Sequence, residues 1–234
     1  VSNEFLLCLS VVLIYGGIVI AYIFFKVRGL LLFMLLATVL ANIEVTLLIK
    51  AFGLEQTLGN ILFASTFLIT DALSEIRGKE LAQQSIRLTI FGSIIFLISS
   101  QMWLLYTLQD SLMHTYLSHI FSQTPRIIIV SLIVFAIASY VDVWLYHWWW
   151  RLSTKIWGSK KKFLWLRNNA STLFSQLLNT VFFSFGAFYG VLEINVITKI
   201  ILSSYMIFIC TSLLDTPVLY LLVYLSKRNK QRLG

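Results

Sequence analysis

The sequence predicts an all-α integral membrane protein, a single polytopic domain over residues 1–234 built as a bundle of seven transmembrane helices. Three observations carry this. The chain is 59% hydrophobic and 12% charged, about half the charge of an average soluble domain, so one soluble core could not hide its apolar surface. Seven stretches reach the roughly 20 apolar residues that a helix needs to cross hydrocarbon. The basic residues between them fall almost entirely on alternate connections.

The spans read as 5–25, 30–49, 58–76, 88–108, 126–149, 169–192 and 196–225. The first follows Glu4 rather than Lys or Arg and lacks a small-x-small cleavage site, so it reads as a retained helix and not a signal peptide. The third is the shortest and most polar. The last is long enough to tilt or to break near Pro217. The runs are too long, and too free of alternation, to be barrel strands, so no strands are expected.

Orientation follows from charge. Fifteen of the eighteen Lys and Arg lie on one side, around Lys26, from Arg77 to Arg87, from Arg151 to Arg167 and from Lys227 onward. Lys50, Arg126 and Lys199 lie on the other. The positive-inside rule then puts the N-terminus outside and the C-terminus in the cytoplasm. Residues 150–168 become a basic cytoplasmic loop and 226–234 a basic cytoplasmic tail. The net charge of +8 is thereby explained by an anionic leaflet, and nucleic acid is not expected as a partner. Trp144, Trp148, Trp149 and Trp150 fit an aromatic belt at the inner interface, the alternative being a ligand cage. Cys8 and Cys210 lack metal-ligand or redox spacing and read as small buried hydrophobes.

Five of the ten acids, Glu44, Asp71, Glu75, Asp142 and Asp215, sit within the spans. A carboxylate at mid-membrane costs about 2.5–3.5 kcal/mol to insert, so it faces a partner or a wet cavity. Their depths describe a polar vestibule from the midplane to the cytoplasm. Asp71 and Glu75, four apart, share a helix face. Thr172, Gln176 and Asn179 form one polar stripe, and Thr38, Asn42 and Thr46 another. The competing reading is helix–helix adhesion, which suits the Ser and Thr positions; Asn42, Asp71 and Gln176 read as solute contacts. Glu75 has Arg77 and Lys79 as alternative partners, and Asp142 has Arg151.

No enzyme is expected. His114 and His119 fall in an outer loop and His147 in the aromatic belt, none at metal-binding spacing. No nucleophile motif or P-loop accompanies Asp71 and Glu75. Neither cofactor, metal site nor self-contained ATP-driven pump follows.

Several blocks carry a family resemblance. They are Ala41-Asn42-Ile43-Glu44, Phe67-Leu68-Ile69-Thr70-Asp71, Ser74-Glu75, Asp142-Val143-Trp144, Trp165-Leu166-Arg167-Asn168-Asn169-Ala170-Ser171-Thr172 with Gln176, and Leu214-Asp215-Thr216-Pro217. In this order, over residues 37–220, the chain resembles the YhhQ-like queuosine precursor transporters, also called the vitamin uptake transporter family. Some relatives begin at what is here the second span, so the resemblance implies that 5–25 is an extra N-terminal helix ahead of a six-helix core over 30–225.

The resemblance implies import of 7-deazaguanine bases, the cyano or aminomethyl precursors or queuine, across a prokaryotic plasma membrane for tRNA modification. Transport would be secondary or facilitated, drawn by a proton on Asp71 or Glu75 or by trapping after entry. The alternative is a substrate-binding membrane subunit of an ATPase-energised uptake complex. A homodimer is among the expected assemblies. A carboxylate can accept both adjacent N–H donors of a guanine-like edge, and Asp71 is the first choice for this. Asn42 and Gln176 are the amide partners, and Phe67 would stack on the ring. Glu44, Glu75, Asp142, Asn179 and Asp215 complete the expected set. Two departures stand out: relatives often carry Asp where Asn179 stands and Lys where Phe208 stands. Their joint loss means either a different cargo or a dispensable structural pair. Glu44, where an uncharged Gln is expected, could supply replacement charge.

Overall fold

The computed structural model describes residues 2–45, 47–107, 111–121, 124–157 and 164–231. Among these, the chain forms helices α1 (Asn3–Glu44), α2 (Asn60–Arg77), α3 (Lys79–Leu105), α4 (Ser111–Phe121), α5 (Thr124–Trp157), α6 (Leu164–Phe188) and α7 (Ile194–Gln231), with one hairpin of β1 (Leu48–Ala51) and β2 (Leu54–Thr57). α1, α3, α5 and α7 are each long and apolar enough to cross a bilayer. The protein is a helical membrane protein.

The first two expected spans form α1, folded back on itself at Lys26, whose φ of 57° and ψ of −137° leave the helical region. A straight helix would hold residues 17 and 33 about 24 Å apart. Instead the Phe33 ring lies against Gly17, and Ile14 packs with Ala37 and Ala41. Gly29 is required here, since a Cβ would stand 2.2 Å from the Ala21 carbonyl oxygen of the opposite arm.

The expected absence of strands is corrected at residues 48–57, where β1 and β2 pair antiparallel with Ala51 opposite Leu54. Phe52 (φ 52°) and Gly53 (φ 74°) both lie in the left-handed region, as a tight two-residue hairpin turn demands. The second arm of α1 therefore ends at Glu44 rather than residue 49. The start of α1 holds the hairpin: Asn3 donates to the Lys50 carbonyl at 2.9 Å, and Glu4 accepts from the Phe52 N–H at 3.1 Å.

Other connections are shorter than the sequence suggests, because charged residues continue the helices beyond their apolar lengths. Gly78 (φ 92°) alone joins α2 to α3. α5 runs on to Trp157 and α6 begins at Leu164, so only 158–163 of the basic loop lies outside the described residues, as do 232–234 of the tail. His114 and His119 lie on α4, not in a loop. α7 continues through Pro217 without a break.

α2 is the central post, touching α1, α3, α5, α6 and α7. Only Phe63, Glu75 and Arg77 of its 18 residues are not buried. Polarity is inverted relative to a soluble fold. Asp71, Asp142, Asp215 and Gln176 are buried, while Val12, Phe24, Phe91 and Leu105 are exposed, as suits a bundle with lipid outside.

Candidate functional site

The buried polar groups follow one helix. On α6, Arg167, Ser171, Thr172, Ser175, Gln176, Asn179, Thr180 and Ser184 recur at three and four and are all buried, forming a ladder from the basic end of the bundle toward the hairpin end. The ladder serves two different places.

In the basic half it meets the acids. Arg167 Nη2 donates to Glu75 Oε2 at 3.1 Å, and Tyr146 Oη donates to the same oxygen at 2.9 Å. The guanidinium lies 4.8 Å from the Trp150 ring centre and 5.8 Å from that of Tyr146, a cation–π setting. Further in, Thr172 donates to Asp71 Oδ2 at 3.0 Å, while Ser175 and Thr70 donate to Asp142 at 2.8 and 3.2 Å. The Asp71 and Asp142 carboxyls are side by side. Asp215 of α7 is fully buried near the Tyr15 hydroxyl of α1. Asn169 ties α6 to α7, donating to Thr216 at 2.8 Å and accepting from Ser212 at 3.0 Å. This region is cross-bonded, but Asp71 Oδ1, Asn168 Oδ1 and both Asp215 oxygens are buried in it without a hydrogen-bond partner.

In the hairpin half, α1, α2, α5, α6 and α7 enclose a cavity with about 60 Å³ open to the centres of water molecules; one water needs roughly 10–15 Å³ by that measure. Its walls are Asn42, Asn60 and Asn179, the hydroxyls of Thr38, Thr57, Ser131, Thr180, Ser184 and Ser204, and the rings of Phe63, Phe183, Phe188 and Phe208. Ser131 donates to Asn42 Oδ1 at 2.9 Å, and Thr57 donates to Asn60 Oδ1 at 3.1 Å. Asn60 Nδ2 is buried with no partner. A buried donor without an acceptor costs about 1–3 kcal/mol, so it asks for a solute or a water. Phe63 and Phe208 stand 6.3 Å apart, tilted by 49°.

The acids of the expected vestibule stand in the basic half, whereas this cavity lies in the other half. Of the expected site residues, Asn42 and Asn179 line it; Glu44, Phe67, Asp71, Glu75, Asp142, Gln176 and Asp215 are not on its wall. Asp71 lies eight residues, about 12 Å along α2, beyond Phe63. Phe67 is buried edge-on to Phe63, with centroids 5.5 Å apart, so Phe63 and not Phe67 offers a ring to the cavity. Glu44 lies off the α1 face that presents Thr38, Ala41, Asn42 and Val45. Gln176 is wholly buried with both amide atoms unpartnered, one turn from Asn179. Thr46 lies outside the described residues.

Two alternatives from the sequence are replaced. The partner of Glu75 is Arg167, not Arg77 or Lys79, and Asp142 is held by hydroxyls rather than Arg151. The tryptophans divide: Trp144 and Trp148 are exposed, while Trp150 packs on Arg167 and stacks on His147 at 5.7 Å. Arg167 and Asn60 were missed as site residues. The signal for Arg167 was its spacing from Ser171 and Ser175 on one face; for Asn60 it was the Thr57-x-x-Asn60 interval at the start of a helix.

Residues 57–222 match the family described as "putative vitamin uptake transporter". The chain is 33% identical over 206 residues to a Bacillus subtilis (strain 168) protein named "Probable queuosine precursor transporter", covering 86% of this chain and 88% of that one. No solved structure matches.

Proposed function

Because the chain belongs to the vitamin uptake transporter family, we propose that it imports a queuosine precursor, a 7-deazaguanine base, through the cavity between α1, α2, α5, α6 and α7. The membrane is the prokaryotic plasma membrane. The two arms of α1 with α2, α3, α5, α6 and α7 make seven crossings, N-terminus outside and C-terminus in the cytoplasm. In this frame the hairpin half faces outward. The basic half, where Lys79, Arg151 and Lys155 surround a surface groove with His147 and Trp150, meets the anionic inner leaflet.

One observation carries the reading: amides from three helices and several phenyl rings converge on a hollow at which Asn60 Nδ2 lacks an acceptor. A flat bicyclic base presents ring faces to Phe63 and Phe208 and a polar edge to Asn42, Asn60 and Asn179. The Arg167–Glu75–Tyr146–Trp150 contact closes the path on the cytoplasmic side. Release requires that lock to part and the α6 ladder to become accessible from within, an alternating-access cycle. The unpartnered amide of Gln176 then receives the base on its way, with Asp71 beyond it.

The test is uptake of the cyano, aminomethyl and queuine bases by cells lacking their own synthesis and transport, read as queuosine in tRNA. Restoration by at least one base supports the proposal. Failure of all three, with the protein present in the membrane, rules it out.

A further inference from the structure

The chemistry of the cavity wall is narrower than the expected list of cargos. Its charge comes first. Among the described residues on the wall, none is ionisable. The polar groups are amides and hydroxyls, which donate or accept hydrogen bonds but cannot balance a full charge. The acids Glu75, Asp142, Asp71 and Asp215 are all off this wall; Glu75 is held by Arg167 and Tyr146, Asp142 by Ser175 and Thr70, and Asp71 by Thr172 at one oxygen.

Two candidate cargos differ in this property. A nitrile-bearing deazaguanine is uncharged, and every polar atom of it is a hydrogen-bond donor or acceptor. An aminomethyl deazaguanine carries an ammonium at neutral pH. Moving an ammonium from water into a small cavity without a counter-ion costs several kcal/mol even after relaxation, whereas a neutral heterocycle can exchange water hydrogen bonds for amide ones. The orphan Asn60 Nδ2 is a donor and thus suits a carbonyl or nitrile acceptor; it can accept nothing from an ammonium. Asn179 and Phe208 are both on this wall, an amide and a ring where a charged side chain could stand.

Resting on the import reading above, we infer that the cavity is a charge filter: it accepts the uncharged nitrile-bearing base and excludes the ammonium-bearing one, with Asn179 setting the choice. A carboxylate at that position would face the hollow from α6 and supply the missing counter-charge.

The full chain in cells without endogenous synthesis or transport is given each labelled base at equal concentration, and initial uptake is followed. Purified protein in detergent is titrated with the same two bases. Wild type is expected to take up and bind the nitrile base at least tenfold better, and Asn179→Asp to shrink or reverse that ratio. Equal or better handling of the aminomethyl base by wild type would overturn the filter while leaving import intact. Entry of neither base would overturn the filter, and import with it only if queuine also fails to enter. If Asn179→Asp fails to reach the membrane, the wild-type ratio in uptake and binding still decides.

Discussion

Arg167 on α6 and Glu75 on α2 meet at 3.1 Å with the arginine 1% and the glutamate 13% exposed. Tyr146 completes the glutamate and Trp150 covers the guanidinium, so three helices are fastened at the basic end. Removing one member of such a pair strands a buried charge and costs about 3–5 kcal/mol, whereas replacing both with apolar groups can be neutral.

Glu75→Leu and Arg167→Leu are therefore each expected to lower the melting temperature of the purified protein sharply, and the double variant to recover most of it. In the double variant a cysteine placed at Ser171 should react faster with a reagent supplied from the cytoplasmic side. Additive losses in the double variant would dismiss the lock.

Gln176→Leu removes an amide whose two polar atoms have no partner, an arrangement costing about 1–3 kcal/mol. Stability should rise by about 1 kcal/mol, seen as a higher unfolding midpoint. Uptake of the base should fall at least tenfold. A stabilised protein with full uptake would mean that the amide has no part in carrying the solute.

Asp71→Asn can keep the bond from Thr172, so membrane expression is expected to be normal while uptake is lost. Wild-type uptake by this variant would remove Asp71 from the pathway.

Gly29→Ala puts a methyl group 2.2 Å from the Ala21 carbonyl oxygen. The arms of α1 must separate, at about 1–3 kcal/mol for overpacking. Thermal unfolding in detergent should report the loss, and an unchanged midpoint would contradict the close approach.

Helix content was legible because lipid imposes it: a run such as 5–25 or 196–225 has few other ways to satisfy its backbone. The β-hairpin was not, since Leu47, Leu48 and Ile49 extend an apolar run up to Lys50, and the only local sign is Phe52-Gly53. Asn42 and Asn179 could be placed on polar stripes from spacing alone. Spacing gives the face of a residue but not its depth relative to other helices. For that reason spacing puts Asp71 and Gln176 on inward faces without revealing that they lie beyond the cavity wall. Arg167 reads in the sequence as one of a run of loop bases, because sequence cannot reveal that Trp150 and Glu75 draw it inside.

The α6 ladder has a mechanical consequence. A 25-residue helix is a rod of roughly 37 Å, with Arg167 near one tip and Ser184 near the other. In the import cycle proposed above, tilting the rod to free the arginine would swing Asn179 and Ser184 as well, gearing the two mouths of the pathway together without separate timing.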